Sequence, residues 1–364
     1  MILTVQASAL SKALAAAQGF TSSSIPGVLD TYLLSADQEG LRVRATDLSA
    51  GFEGLVEAQV QKPGSICVPA KRFHQLLREL PCDEVRLEVT DNLRLSVRTG
   101  SVQVTLPGVN PEEFPSIFPD ATDAFRLPGK VLSEVVQKVS FCASKAESHM
   151  GLHGVLIEGR QKGERTRIVA VATDGHRLAL MGTEAEGRYE GKMLLGHMDL
   201  RRAVRALERT DVVNVRAAES VCVLETGNRR VAIRPLQHTY PEFRQVLPRD
   251  HPSRAVIDRE ELLGAARRAA IVAEESGMEV RAGRTFEISV KTDQGVLRES
   301  LQAEEYEGQE VSFRINPRYL AEGLQAVRSD RVRVELKDPD SVVVFKPADE
   351  AEKYIHLIMP MRRD

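Results

Sequence analysis

The sequence predicts an α+β fold in three tandem copies of one domain, each with two helices on antiparallel sheets. Three observations predict it. A Thr-Asp pair recurs at Asp47, Asp174 and Asp293, spaced 127 and 119 residues, each time between two alternating strand-like runs. Short amphipathic segments recur at "VPAKRFHQLLREL", "GHMDLRRAVRALE" and "INPRYLAEGLQAV", with Phe73, Leu200 and Leu320 spaced 127 and 120 residues. Strand-like runs follow in step, with Val85, Val213 and Val332 spaced 128 and 119 residues. One order and nearly one period across three kinds of marker make chance a poor explanation, and the period is too long for a solenoid.

Each copy opens with a helix. "SALSKALAAA", "GKVLSEVVQKV" and "REELLGAARRAA" are amphipathic, with stripes such as Leu10, Ala13, Leu14, Ala17 and Leu132, Val135, Val136, Val139. The Thr-Asp pairs read as hairpin turns, where an Asp side chain satisfies local backbone N–H groups. The later helices bury Phe73, Leu76, Leu77, Leu80; Leu200, Ala203, Val204, Leu207; and Leu320, Gly323, Leu324, Val327. Such stripes need a sheet to cover them, which gives layered α+β domains. Pro- and Asp-rich junctions at "NPEEFPSIFPDATD" and "LPRDHPSR" set the expected boundaries at 1–120, 121–250 and 251–364.

Composition bounds the function. The chain has 364 residues, 42% hydrophobic and 28% charged, as in globular proteins. No apolar run reaches the ~18 residues that span a bilayer, and the N-terminal stretch lacks the layout of a signal peptide. The four cysteines include no CxxC pair, which suits a reducing cytoplasm and argues against a zinc site or a disulfide framework. A net charge of -3 disfavours a broad basic nucleic-acid surface, though not a local one. Cations do gather on the helices, among them Lys12, Lys71, Arg72, Lys138, Arg201, Arg202, Arg205 and Arg268, interrupted by acids. They are either an ordinary solvated face or a lining for one anionic partner.

The triplication, "ATDGHRLAL" in the middle copy, "YPEFRQVLP" at 240–248 and the terminal "IMPMR" together resemble the bacterial β sliding clamp family, the processivity subunits of replicative DNA polymerases. The resemblance spans the chain. It implies three DNA-clamp domains per chain and a head-to-tail homodimer ring, with helices lining a hole through which duplex DNA threads. It implies an accessory factor without a catalytic site or cofactor, working in the cytoplasm at the nucleoid. The implied partners are double-stranded DNA, a second copy, the replicative polymerase, its clamp loader, and other polymerases, mismatch repair and ligase proteins that carry short linear motifs. Topological holding needs little affinity, so a modest basic lining with sequence-independent phosphate contacts suits it.

By the same resemblance, partner peptides dock on Leu152, Thr173, Gly175, His176, Arg177, Leu178, Pro241, Val246, Leu357, Met359, Pro360 and Met361. Leu178, Val246, Leu357, Met359 and Met361 offer an apolar floor, with Met an adaptable filler. Gly175 permits a turn or a close approach, and Thr173, His176 and Arg177 supply rim polarity. Read alone, Asp174 is a turn residue, Leu178 and Val246 are equally core, and "IMPM" is equally an edge strand. For ring closure the resemblance implies a first-domain edge in "RTGSVQVTLPG", with Val104 and Leu106, against "RRAAIVAEE", with Ile271 and Val272; the latter two also fit an ordinary helix core. The sequence departs from the family at "ESHMGLHG" and at His197 and Met198, where basic or aromatic residues are common.

Two other classes, an enzyme and a DNA-binding scaffold, make different demands on the sequence. An enzyme would need a nucleophile near an Asp174–His176 dyad, but GxSxG, HExxH and GxxxxGK[ST] are all absent, and the glycines beside His149 and His153 disfavour a helical metal pair. A monomeric three-repeat DNA-binding scaffold would hold linear and circular DNA alike.

Overall fold

The computed structural model describes the chain apart from residues 23–26, 82, 91, 147–150, 208–211, 249, 350 and 363–364. His149 and Met150 therefore lie outside the described residues. Six α-helices are present among the rest: α1 Ala7–Ala17, α2 Ala70–Arg78, α3 Gly129–Val139, α4 His197–Ala206, α5 Arg259–Ala273 and α6 Pro317–Ala326. The stripes read from the sequence are buried on α1, α3, α4 and α6, with Leu207 and Val327 buried just past the ends of the last two. On α2 only Phe73 and Leu77 of the expected four are fully buried; the helix ends at Arg78, so Leu80 falls outside it, and Leu76 is half-buried. α5 runs three residues past the expected segment. Its N-terminus is capped by Asp258, which accepts from Glu261 N at 2.8 Å, and alanines carry it on to Ala273. α6 starts with Pro317 and an Asn316 cap on Arg318 N at 2.9 Å.

Two compact units are present. The first comprises Met1–Ser133, Glu186–Tyr189 and Met198–Pro235. One of its sheets orders the strands Ala58–Lys62, Ile2–Gln6, Glu84–Thr90, Arg94–Thr99 and Val102–Pro107, all antiparallel. The other runs through eight strands: Gly64–Pro69, Thr31–Asp37, Gly40–Thr46, Ala50–Val56, Arg229–Ile233, Val221–Thr226, Val212–Ala218 and Thr122–Pro128. The pairing of Ala50–Val56 with Arg229–Ile233 carries this sheet from the first sequence repeat into the second, with Ala50 opposite Ile233.

The second unit comprises Glu134–Ala185, Glu190–His197 and Leu236–Asp364. Here Arg177–Glu186 pairs with Tyr354–Ile358, and Arg177 lies opposite Ile358. Ala50 and Arg177 each stand three residues after their turn aspartate. The joint from second repeat to third thus uses the register of the joint from first to second. Tyr354–Ile358 continues through Val343–Pro347 and Arg331–Leu336 to Ser253–Asp258. A separate four-stranded sheet orders Gly295–Gln302, Thr285–Thr292, Met278–Ala282 and Val311–Ile315. Among the described residues, Val102–Pro107 and Gly295–Gln302 each pair along one side only.

Candidate functional site

The site is built around the turn between Arg165–Thr173 and Arg177–Glu186. Asp174 Oδ1 accepts from the backbone N of His176 at 3.0 Å and of Arg177 at 3.1 Å, which makes it the turn residue its position suggested. Thr173 Oγ1 accepts from Gly175 N at 3.1 Å and donates to Arg177 O at 2.6 Å. Gly175 has φ 92°, and a Cβ there would meet nothing within 4 Å, so backbone conformation rather than crowding calls for glycine. The first repeat forms the same turn: Asp47 Oδ1 accepts from Ser49 N and Ala50 N, both at 3.0 Å, with Leu48 at φ 77°. The third differs. Thr292 pairs with Gly295, so its loop is only two residues, and Thr292 Oγ1 accepts from Gln294 N at 3.2 Å. No aspartate cap is needed in so tight a loop, and Asp293 is not one.

The turn holds Gly175 and His176 exposed above an apolar cluster. Leu156, Val171, Leu178, Leu194, Phe243, Val344 and Leu357 form its buried part, with Leu180, Tyr240, Leu247 and Ile355 packed against it. Leu178 and Leu357 face each other in register and are 3% and 2% exposed, so they are core beneath the surface rather than open floor. Val246 and Met359 stand open above, 47% and 43% exposed. Pro241 is exposed, and Leu152, Thr173 and Pro360 are half-buried. Met359 N donates to His176 O at 2.8 Å, which ties the C-terminal segment to the turn.

Two expected groove residues face elsewhere. Met361 donates its backbone N to Arg314 O at 2.7 Å and sets its sulfur beside Gly277, on the strand Val311–Ile315 side. Arg177 is not a free rim group: its side chain is 7% exposed. Its Nε donates to Asp174 Oδ2 at 3.0 Å and one Nη to Phe141 O at 2.9 Å, while the other Nη binds the Glu322 carboxylate. The guanidinium also lies 4.2 Å from the Tyr319 ring centroid. Asp174 is thereby committed to the backbone and to Arg177, not to the His176 imidazole, and the two do not form a dyad. Glu322, Tyr319, Phe141, Tyr240 and Phe243 were missed in the sequence. Phe243 had a signal, since "YPEFRQVLP" supplied Pro241 and Val246.

The expected DNA-facing cations divide. Lys12, Lys71, Arg72, Arg201 and Arg205 are exposed. Lys138 is buried; it pairs with Glu134 at 2.8 Å and with Glu352, and lies 5.7 Å from the Tyr354 ring. Arg202 reaches Asp47 Oδ2 and Asp199 Oδ1, both at 2.6 Å, and Gly19 O at 2.8 Å, with Phe20 beneath it. Burial pushes the Asp47 carboxyl up, but the Arg202 guanidinium and the turn amides hold it below the usual range. At Asp199 burial prevails and raises it. Arg268 is exposed but engaged with Glu299 at 3.0 Å. So Lys138 and Arg202 belong to internal ion pairs, because each lies where its helix packs against protein.

The closure residues are on the surface. Val104 and Leu106 are half-buried, as is Val272; Ile271 is 80% exposed, which removes the helix-core reading for it. Val296, not singled out in the sequence, is 62% exposed on the open strand Gly295–Gln302. A cavity of about 430 Å3 lies beside α2, lined by Lys71, His74, Arg78, Asp30 and Tyr32 among others. His153 meets His197 ring to edge at 4.7 Å, a packed pair.

Comparison with known proteins decides the family. Residues 1–118, 126–242 and 244–362 match the N-terminal, central and C-terminal domain models of the DNA polymerase III beta subunit. The beta sliding clamp of Synechococcus elongatus is 30% identical over 354 residues, covering 92% of each chain. The chain belongs to the β sliding clamp family. Its Caulobacter vibrioides relative is 27% identical across the full length of both chains. The Pseudomonas aeruginosa sliding clamp bound to griselimycin superposes over 100% of both chains with TM-score 0.92 and 26% identity. For this clamp the repeats of the sequence are thus three clamp domains in tandem, and the eight-stranded sheet is the seam between the first two.

Proposed function

We propose that this clamp closes with a second copy into a head-to-tail ring around duplex DNA and tethers polymerases, the clamp loader and other replication and repair proteins through the groove at His176. It acts as an accessory processivity factor with no chemistry of its own. Among the described residues no helix is long and apolar enough to cross a membrane. The expected domain limits, 1–120, 121–250 and 251–364, serve as the working division.

One observation carries the ring. Two joints within the chain repeat one strand register, Ala50 opposite Ile233 and Arg177 opposite Ile358. The two remaining strands of the same kind, Gly295–Gln302 and Val102–Pro107, have open edges. Pairing these two edges would bring Leu106 of one copy to the Gly295–Val296 end of the strand of the other, with Ile271 and Val272 beside the joint. An edge this apolar invites strand pairing. With Cys82→Ser in place, Leu106→Cys and Val296→Cys are expected to cross-link chains in pairs under a short thiol cross-linker. The reading is overturned if the chain sediments as a monomer at micromolar concentration, or if Leu106→Cys cross-links better to Ser300→Cys.

The exposed cations Lys12, Lys71, Arg72, Arg201 and Arg205 would meet phosphates. Such contacts are salt-dependent and blind to sequence. For the groove, the open Val246 and Met359 over a buried floor favour an apolar ligand anchored at few points. Griselimycin, which a similar clamp binds, is a suitable probe: it is expected to bind this chain and to lose affinity in Val246→Glu.

A further inference from the structure

A groove at His176, as proposed, depends on the contacts that hold its lip in place. The lip is a short turn with two exposed residues, Gly175 and His176. It is fixed to the C-terminal segment by one hydrogen bond, His176 O accepting from Met359 N at 2.8 Å. The next residue is held twice, by the strand pairing that sets Arg177 opposite Ile358 and by its side chain. Arg177 is bound to Asp174, to Phe141 O and to the Glu322 carboxylate, and stacks on Tyr319. Glu322 and Tyr319 both stand on α6, in the third repeat, while the lip belongs to the second. Glu322 is not part of the apolar cluster.

We propose that Glu322 is a positioning residue for the groove: by holding Arg177 it fixes the His176 lip, so ligand affinity depends on a helix residue of the neighbouring domain. A bidentate or forked guanidinium pair sets orientation as well as energy. A lip held loose must be ordered when ligand binds, which reduces affinity. The joint between the first two repeats has a related ion pair with the charges exchanged, Arg202 standing on the helix with Asp199 beside it and Asp47 on the turn. Arg202 donates to Gly19 O there, as Arg177 donates to Phe141 O here. That joint carries no groove residue, so it serves as an internal control.

The test measures griselimycin affinity and unfolding temperature for the full-length protein, Glu322→Gln, Glu322→Asp and the control Asp199→Asn. Glu322→Gln is expected to weaken binding roughly 5- to 10-fold, the lower end of coupling between linked sites. Glu322→Asp should recover most of it, and Asp199→Asn should leave affinity unchanged whatever it does to unfolding. A change below about twofold in Glu322→Gln, or an equal loss in Asp199→Asn, overturns the proposal. If the unsubstituted protein binds no griselimycin, the groove reading falls first and this inference with it.

Discussion

The Arg202 guanidinium reaches the Asp47 carboxylate at 2.6 Å across 155 residues of sequence. The contact lies at the seam where the first two repeats share a sheet. Both side chains are about one-fifth exposed, 19% and 20%. Removing one partner of a buried pair costs ~3–5 kcal/mol; with this much solvent screening, Arg202→Met is expected to cost about 2 kcal/mol. Chemical denaturation checks it. The same variant should leave the salt dependence of DNA binding unchanged, whereas Arg201→Ala and Arg205→Ala should each lower its slope.

Gly323 sits on α6 against the fully buried His356 ring, and a Cβ there would overlap that ring. In an open helix Gly→Ala gains up to ~1 kcal/mol from propensity. Here overpacking outweighs it, and Gly323→Ala is expected to lose about 2 kcal/mol net. A gain in stability on denaturation would show that the ring has room to move.

His356 is also a pH reporter. Burial, with the Arg177 guanidinium nearby, pulls its pKa down to about 4 from the usual 6.5. Between these values the unfolded chain binds the proton and the folded one does not. Stability from this group is therefore complete above pH 6.5 and is lost as pH falls toward 4, by roughly 3 kcal/mol in total. Denaturant titrations at pH 7.5, 5.5 and 4.5 measure the slope. His356→Gln should flatten it in that window.

Leu178 and Val246 separate packing from binding. Leu178 is 3% exposed, so Leu178→Ala should destabilise by ~2–5 kcal/mol. Val246 is 47% exposed; Val246→Ala should change stability by less than ~0.5 kcal/mol while weakening groove ligands. Equal effects of both substitutions on stability would contradict this division.

Periodicity carried most of the fold, because helix stripes such as Leu132, Val135, Val136 and Val139 answer to one local requirement, burial on one face. The turn role of Asp174 was legible for the same reason. What failed was long-range. Nothing near Arg177 announces Glu322, 145 residues away, or that the pair would bury the guanidinium. Lys138 likewise sits on a helix face that reads as solvated until Glu352 arrives from the C-terminal segment. Asp293 failed through loop length: the loop has only two residues, and its Gln294 amide is taken by Thr292 Oγ1.

Retention on DNA tests the ring most directly. The protein is placed on nicked circular plasmid by a clamp loader, separated from free protein by size, and the plasmid is then linearised. A closed sliding ring stays on the circle and is lost from the linear form. Equal retention on both forms would mean that the exposed helix cations hold DNA by direct contact, and the ring would be wrong.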